Sequence, residues 1–377
     1  MTQNIPNITE ARRLVIKTGS ALVTDEETGL PHSGWMASLA ADIADLRAQG
    51  KAVILVSSGA VSLGRKILGL KEKSALRLDE KQAAAACGQV ALMDAWRLQF
   101  SRYGLPVGQI LLTLDNSEHR SRFLNARQTL ETLLELGVIP IVNENDTVAT
   151  AELKFGDNDR LAARVAEMAG ADNLIILSDI DGFYTADPSK DPTATRMATI
   201  ETITPAIEKM AGGSGSSVGS GGMITKVMAA KIAQGAGCHT LIAAGKPERP
   251  ISQVISQGGG TWFIASSTPI TARKRWINGS LKATGTLTVD DGAATALTQG
   301  KSLLAAGVVQ VDGEFERGEA VQIISRTGQR LGKGLVAYNS GEAQALKGKR
   351  SEEFEALIGY KGRSALIHRD DLVLEGI

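Results

Sequence analysis

The sequence predicts an α/β protein: a three-layer, open and mostly parallel sheet, followed by a small β-rich domain. Three observations carry that expectation. Short apolar runs alternate with longer segments of helical period through roughly the first 265 residues. Most of these runs are apolar nearly throughout, the pattern of strands covered on both faces. Near residue 270 the pattern changes to shorter segments separated by turn glycines. The expected domains are therefore 1–269 and 285–377, with 270–284 as a basic, polar linker.

In chain order, the candidate strands are LVIKTG (14–19), AVILVSS (52–58), VGQILLT (107–113), VIPIVNEN (138–145), NLIILSD (173–179), TLIAAG (240–245) and WFIAS (262–266). The segments at 33–50, around 80–100, 117–137, 159–170 and 223–237 have the length and apolar spacing of helices. Beyond the joint, TLTVDDGAATALTQG, GVVQVDGEFERGEAVQIIS, GLVAYNS and SALIHRD supply the β-rich tail.

Composition excludes some classes of function. The 377 residues are 43% hydrophobic and 22% charged with a formal net charge of zero, so no bulk attraction to nucleic acid or anionic membrane is expected. No apolar stretch is long enough to span a bilayer. No basic-then-apolar leader is visible at the start, and a cytoplasmic location is expected. Cys87 and Cys238 lack metal-ligand spacing and read as small buried side chains of a reduced protein.

In a parallel sheet, ligands gather at the carboxyl ends of the strands. Four polar clusters sit at such places or beside them. Lys17-Thr18-Gly19-Ser20 follows the first strand, where a lysine is ordinarily just solvated but a glycine turn can expose N–H groups to phosphate. Ser57-Ser58-Gly59-Ala60 joins a strand to a helix, which makes either an anion site or a plain capped turn. Asn143-Glu144-Asn145-Asp146 and Gly156-Asp157-Asn158-Asp159 concentrate amides and carboxylates. Surface turns and helix caps use the same residues, but two such runs together favour a site for a small polar molecule or a cation.

The fourth cluster is GSGGMITK, residues 219–226. No glycine stands where G-x-x-x-x-G-K-[ST] needs one, and Ile224 occupies the third glycine position of G-x-G-x-x-G. A glycine-rich stretch leading into a helix with Lys226 one turn in would still suit a lid over a triphosphate, or else serve as a flexible connection.

As a set and in this order, KTGS, SSGA, FLNAR, NEND, GDND, SDIDGFYTADP and GSGGMITK resemble the bacterial glutamate 5-kinases of the amino acid kinase superfamily. The tail resembles a PUA domain. Three positions depart from the common pattern: Ala21, Ser178 and Phe183. The resemblance implies transfer of the ATP γ-phosphoryl group to the side-chain carboxylate of L-glutamate, with Mg2+. It implies Lys17 and Lys226 on the phosphates, Asp159 orienting both lysines, and Ser58, Asp146 and Asn158 on glutamate. The nucleotide would be held by Ser178 and Asp179 with Ser220, Gly221, Gly222, Met223, Ile224, Thr225 and Lys226, and Asp157 would help place Mg2+. Feedback inhibition by proline near the NEND and FLNAR segments, a homodimer or homotetramer, and transient contact with a glutamyl phosphate reductase are further implications.

The chemistry fits independently. A γ-carboxylate, with an ordinary pKa of about 4.3, is already an anion at neutral pH and needs no general base. The sequence offers no obvious one, since the four histidines (His32, His119, His239, His368) lie outside the clusters. The alternative readings are a kinase of the same superfamily acting on N-acetylglutamate, carbamate, aspartate or a nucleoside monophosphate, and an RNA-binding protein acting through the PUA-like tail. The neutral charge makes RNA the weaker partner.

Overall fold

The computed structural model describes residues 5–25, 28–70, 76–113, 119–148, 157–212 and 222–375. The chain forms two compact units, residues 1–118 with 126–269, and residues 119–125 with 270–377.

The first unit is built on an eight-stranded sheet. Its strands are β1 (Arg13–Thr18), β2 (Ala52–Ser57), β3 (Val107–Leu112), β4 (Ile139–Glu144), β5 (Asn173–Ser178), β8 (Thr199–Ile200), β9 (His239–Ala244) and β10 (Thr261–Phe263). They lie in the order β3-β4-β2-β1-β5-β9-β10-β8. The six from β3 to β9 run parallel, and β10 lies antiparallel to β9. The seven expected strands all form, within one or two residues except the last, which ends three residues early. Two short strands, β6 (Phe183–Tyr184) and β7 (Arg196–Met197), make a separate antiparallel pair.

Leu14 and Ile16 point into a core shared with Trp35, Met36, Leu39 and Ile43 of the helix Ser33–Ala48 and with Trp96 and Phe100 of the helix Leu78–Ser101. Side chains alternate along a strand, so Val15 and Lys17 face the other way. On that side the helix Asn158–Ala169 packs beside the helix Met223–Gly235.

The helix Ala60–Ile67 meets Leu78–Ser101 at backbone distance. A Cβ added at Gly64 would lie 1.7 Å from the Ala84 carbonyl oxygen, and one at Gly88 would lie 1.8 Å from that of Ala60. These two glycines are there because nothing larger fits, and the contact fixes the helix that starts at the end of β2.

In the second unit, β11 (Gly285–Val289), β13 (Val308–Gly313), β14 (Ala320–Ser325), β15 (Arg330–Leu335) and β17 (Leu372–Leu374) form a mixed sheet ordered β13-β11-β14-β15-β17. A second pair joins β12 (Leu303–Leu304) to β16 (Ala365–Ile367). Leu287, Ile323, Tyr338, Phe354 and Leu366 are among its buried residues.

The stretch 270–284, expected as a linker, is largely helical over Pro269–Ser280. Ile277 and Leu281, four residues apart, are buried with Ala320 and Leu335. Arg273 Nε donates to Asp371 Oδ1 at 2.7 Å, and Lys333 Nζ donates to the Leu281 carbonyl at 2.7 Å. The polar composition concealed this, because two apolar anchors suffice to seat a short helix whose basic residues face outward or pair. Among the described residues, no helix is long and apolar enough to cross a membrane.

Gly88→Ala is expected to destabilise the protein by about 1–3 kcal/mol through overpacking. Gly34→Ala, at a helical glycine with open space around it, should be neutral or mildly stabilising. Urea denaturation of the two variants beside the parent checks both.

Candidate active site

The chain leaves β1 for β2 on one side of the sheet and returns to β5 on the other, so β1 and β5 flank a topological switch point. Loops diverge there and open a crevice beyond the strand ends. A cavity of about 760 Å3 lies at that place. Its wall includes Lys17 near the end of β1 and Gly19 after it, Ser58 and Gly59 after β2, Asn143, Glu144 and Asp146 around the end of β4, and Ser178 and Asp179 at the end of β5.

The cavity's charged centre is Asp159, in the first turn of the helix Asn158–Ala169 and fully buried. Lys17 Nζ lies 2.5 Å from its Oδ1 and Lys226 Nζ lies 3.3 Å from its Oδ2. The Thr225 hydroxyl is 2.8 Å from the same Oδ2 and 2.8 Å from the Gly222 carbonyl oxygen. Burial pushes the Asp159 carboxyl up, but the charges of Lys17 and Lys226 and the hydrogen bonds from Lys17 and Thr225 outweigh it. The net result is a pKa below the ordinary 3.8. Two ammonium groups against one carboxylate leave a local positive excess around Asp159.

Asp157, one residue before that helix, caps it: its Oδ1 accepts the Arg160 backbone N–H at 2.8 Å. Burial, the first cause, raises its pKa despite the hydrogen bond from Arg160, and the neighbouring Asp159 charge adds to the rise. Asp179 behaves oppositely. Its burial also acts upward, yet the hydrogen bond from Ser178, at 2.9 Å, and the charges of Lys226 and Lys246 bring it below the ordinary value.

A second set of groups is neutral. Asn158 Nδ2 donates to Ser58 Oγ at 2.6 Å and lies 2.9 Å from Asn143 Oδ1, and Asn143 Nδ2 donates to Gln89 Oε1 at 2.9 Å. Ser57 Oγ, one residue before Ser58, accepts from Trp96 Nε1 at 2.9 Å. This chain of amides and hydroxyls ties the ends of β2 and β4 to the helix Leu78–Ser101 and presents Ser58 and Asn158 to the cavity.

The amino acid kinase family model matches residues 12–244, and the PUA domain model matches residues 285–358. A protein of Paramagnetospirillum magneticum named glutamate 5-kinase is 55% identical over 366 residues, covering 97% of this chain and 98% of that one. The protein of the same name from Rhodospirillum rubrum is 56% identical over 361 residues, covering 96% of each chain. The chain belongs to the glutamate 5-kinases of the amino acid kinase family. A solved carbamate kinase from Giardia lamblia, bound to AMP-PNP, has a similar fold at 18% identity, with a TM-score of 0.50 over 69% of this chain and 100% of that one.

Of the residues expected in a glutamate 5-kinase site, the structure gathers Lys17, Ser58, Asp146, Asp157, Asn158, Asp159, Ser178, Asp179 and Lys226 on one cavity wall. Gly222 caps the helix Met223–Gly235. Met223, Ile224 and Thr225 form its first turn without lining the cavity, and Thr225 is buried against Asp159. Ser220 and Gly221 lie outside the described residues.

His32, which lies outside the sequence clusters, also lines the cavity. A bridge joins Thr24 to Pro31, and the His32 N–H donates to the Val23 carbonyl at 2.8 Å. Cys238 is buried as expected, whereas Cys87 is only half-buried.

Four further residues escaped the sequence reading. Trp35 lines the cavity and donates from Nε1 to the Gly245 carbonyl at 2.6 Å, holding the turn that carries Lys246. Lys81 lines the same cavity, and Gln89 anchors Asn143. Only Gln89 had a faint signal, as a polar residue on an alanine-rich helix.

Replacing Asp159 by Asn leaves two buried lysines facing each other and is expected to cost about 3–5 kcal/mol of stability. Because the folded-state pKa is lowered, the contribution of the ionised carboxylate is present above the unfolded value near 3.8. It is lost as pH falls through the lower folded value. The stability gap between parent and Asp159→Asn, measured by denaturant titration, should be flat above about pH 5 and shrink below 3.8.

Proposed function

We propose that this chain transfers the γ-phosphoryl group of ATP to the side-chain carboxylate of L-glutamate, forming L-glutamyl 5-phosphate, the first intermediate of proline synthesis. The observation that supports it most is the pair Lys17 and Lys226, distant in sequence but bound to the two oxygens of one buried carboxylate at the rim of the sheet. An anionic nucleophile must approach an anionic phosphate, and negative charge then gathers on the leaving ADP oxygen. Catalysis of such a transfer consists mainly of positioning and charge neutralisation. Asp159 holds both ammonium groups in place before substrate arrives, so little reorganisation is needed during the reaction.

In this reading Ser58 and Asn158 hydrogen-bond glutamate and Asp146 pairs with its ammonium group. Ser178, Asp179 and the start of the helix Met223–Gly235 hold the nucleotide. Among the described residues, no group of three or more His, Cys, Asp or Glu side chains is placed to hold a metal ion. Mg2+ would arrive on the nucleotide's phosphates with one or two protein carboxylates, the usual manner for this hard cation. Asp157, on the cavity wall, is the carboxylate we assign to it, and the ion would supply further charge neutralisation. We extend the proposal to feedback inhibition by proline at the glutamate side of the cavity, to a dimer or tetramer, and to delivery of the labile acyl phosphate to a reductase in the cytoplasm. No RNA is included.

The direct test is incubation with L-glutamate and Mg-ATP in hydroxylamine, which traps an acyl phosphate as the hydroxamate. Glutamate-dependent hydroxamate is expected, with none from N-acetylglutamate or carbamate; the opposite preference overturns the reading.

Lys226→Ala should cut turnover by about two to three orders of magnitude, the scale of losing one preorganised charge donor, while circular dichroism stays unchanged. Near-parental turnover would remove Lys226 from the chemistry. Asp146→Asn should raise the KM for glutamate far more than that for ATP, in steady-state assays varying each substrate; equal effects would count against the ammonium pairing.

A further inference from the structure

The proposed activity leaves one charge of the substrate without a partner. Glutamate brings two carboxylates and one ammonium group. The γ-carboxylate reacts beside Lys17 and Lys226, and the ammonium is assigned to Asp146. Ser58 and Asn158 are neutral, so none of these residues offers a cation to the α-carboxylate. A carboxylate taken into a cavity half-shielded from water needs a charged or multiply hydrogen-bonding partner.

The cations on the cavity wall are Lys17, Lys81, Lys226 and Lys246, with His32 at its edge. Lys17 and Lys226 are committed to Asp159. Lys246 follows β9 and acts on Asp179, on the β5 side of the switch point. Lys81 is different. It stands in the first turn of Leu78–Ser101, half-buried, and among the described residues its ammonium has no ion-pair or hydrogen-bond partner. It shares the wall with Ser58, Val61, Ser62 and Asp146.

Its position is also rigid. Lys81, Ala84, Ala85 and Gly88 are spaced three, four and seven residues apart and lie on one face of their helix. That face is the one pressed against Ala60–Ile67 through the backbone contacts of Gly64 and Gly88. Next to Gly88, Gln89 ties the same helix to Asn143 and so to Asn158 and Ser58. The helix that carries the unpartnered cation is thus bolted to the residues assigned to the substrate.

From this geometry we infer that Lys81 recognises the α-carboxylate of the amino acid substrate, setting its specificity for an acceptor with a second anionic group. The inference rests on the proposed glutamate reading. Lys81 takes no part in the transfer step, so its removal acts on substrate selection.

The test compares L-glutamate with L-isoglutamine, which keeps the ammonium group and the reacting γ-carboxylate but carries a neutral α-carboxamide. The parent should prefer glutamate in kcat/KM. Lys81→Met should lose about 10- to 100-fold on glutamate, the range of a hydrogen bond to a charged group. It should lose little on isoglutamine, with the KM for ATP unchanged, and Lys81→Arg should recover part of the preference. Equal losses on both acceptors, an unaltered preference, or a change confined to ATP overturns the inference, provided the parent forms glutamyl hydroxamate. If the parent forms none, the failure belongs to the glutamate reading. A melting curve of Lys81→Met close to the parent's, together with the unchanged KM for ATP, separates loss of recognition from loss of fold.

Discussion

The site is organised around a carboxylate that solvent does not reach. Asp159 would be costly to bury alone, and Lys17 and Lys226 would repel each other without it. Together they form a mutually paired unit that joins the first strand of the sheet to two helices on one face. The sheet's switch point supplies the crevice, and the ion pairs decide which ammonium groups stand in it. The local positive excess at this unit is what suits that part of the crevice to the phosphate of the proposed reaction.

Around this unit the cavity separates by chemistry. On the β5 side lie Ser178, Asp179 and Lys246, close to the helix that carries Lys226. On the β2 and β4 side, the amide chain from Ser58 through Asn158 and Asn143 to Gln89 gives directional hydrogen bonds without net charge. A triphosphate and a small amino acid require that difference, the first being met by charge and the second by directed polar groups with a few charges. The tight contact at Gly64 and Gly88 matters for the same reason, because a shift of the helix Leu78–Ser101 would move Gln89 and loosen Asn143.

Much of this was legible in the sequence. Nearly continuous apolar strands ending in KTGS, SSGA, NEND and SD announced a parallel sheet with polar carboxyl ends, and such ends converge in any fold of this type. The clusters that hold Lys17, Ser58, Asp146, Asn158, Asp159 and Lys226 are marked by their composition, and the resemblance to the glutamate 5-kinases singled out these residues within them. The residues that were missed carry no such mark. Lys81 and Gln89 lie within an alanine-rich helix, Trp35 looks like an ordinary core aromatic, and Lys246 is one lysine in a proline-flanked turn. His32 lies apart from every marked turn in the sequence, yet it lines the cavity.

The sequence alone determined the layered α/β architecture, the change of character near residue 270 and the polar strand ends. These follow from local periodicity and from the few residues that tolerate a sharp turn. Only the tertiary structure decided at what distances Lys17 and Lys226 meet the carboxylate of Asp159, that Thr225 turns to Asp159 and that the basic joint is a seated helix. Those outcomes depend on distances between segments far apart in the chain. Such distances are fixed by how helices pack on the sheet, with backbones touching at Gly64 and Gly88, and local pattern does not encode them.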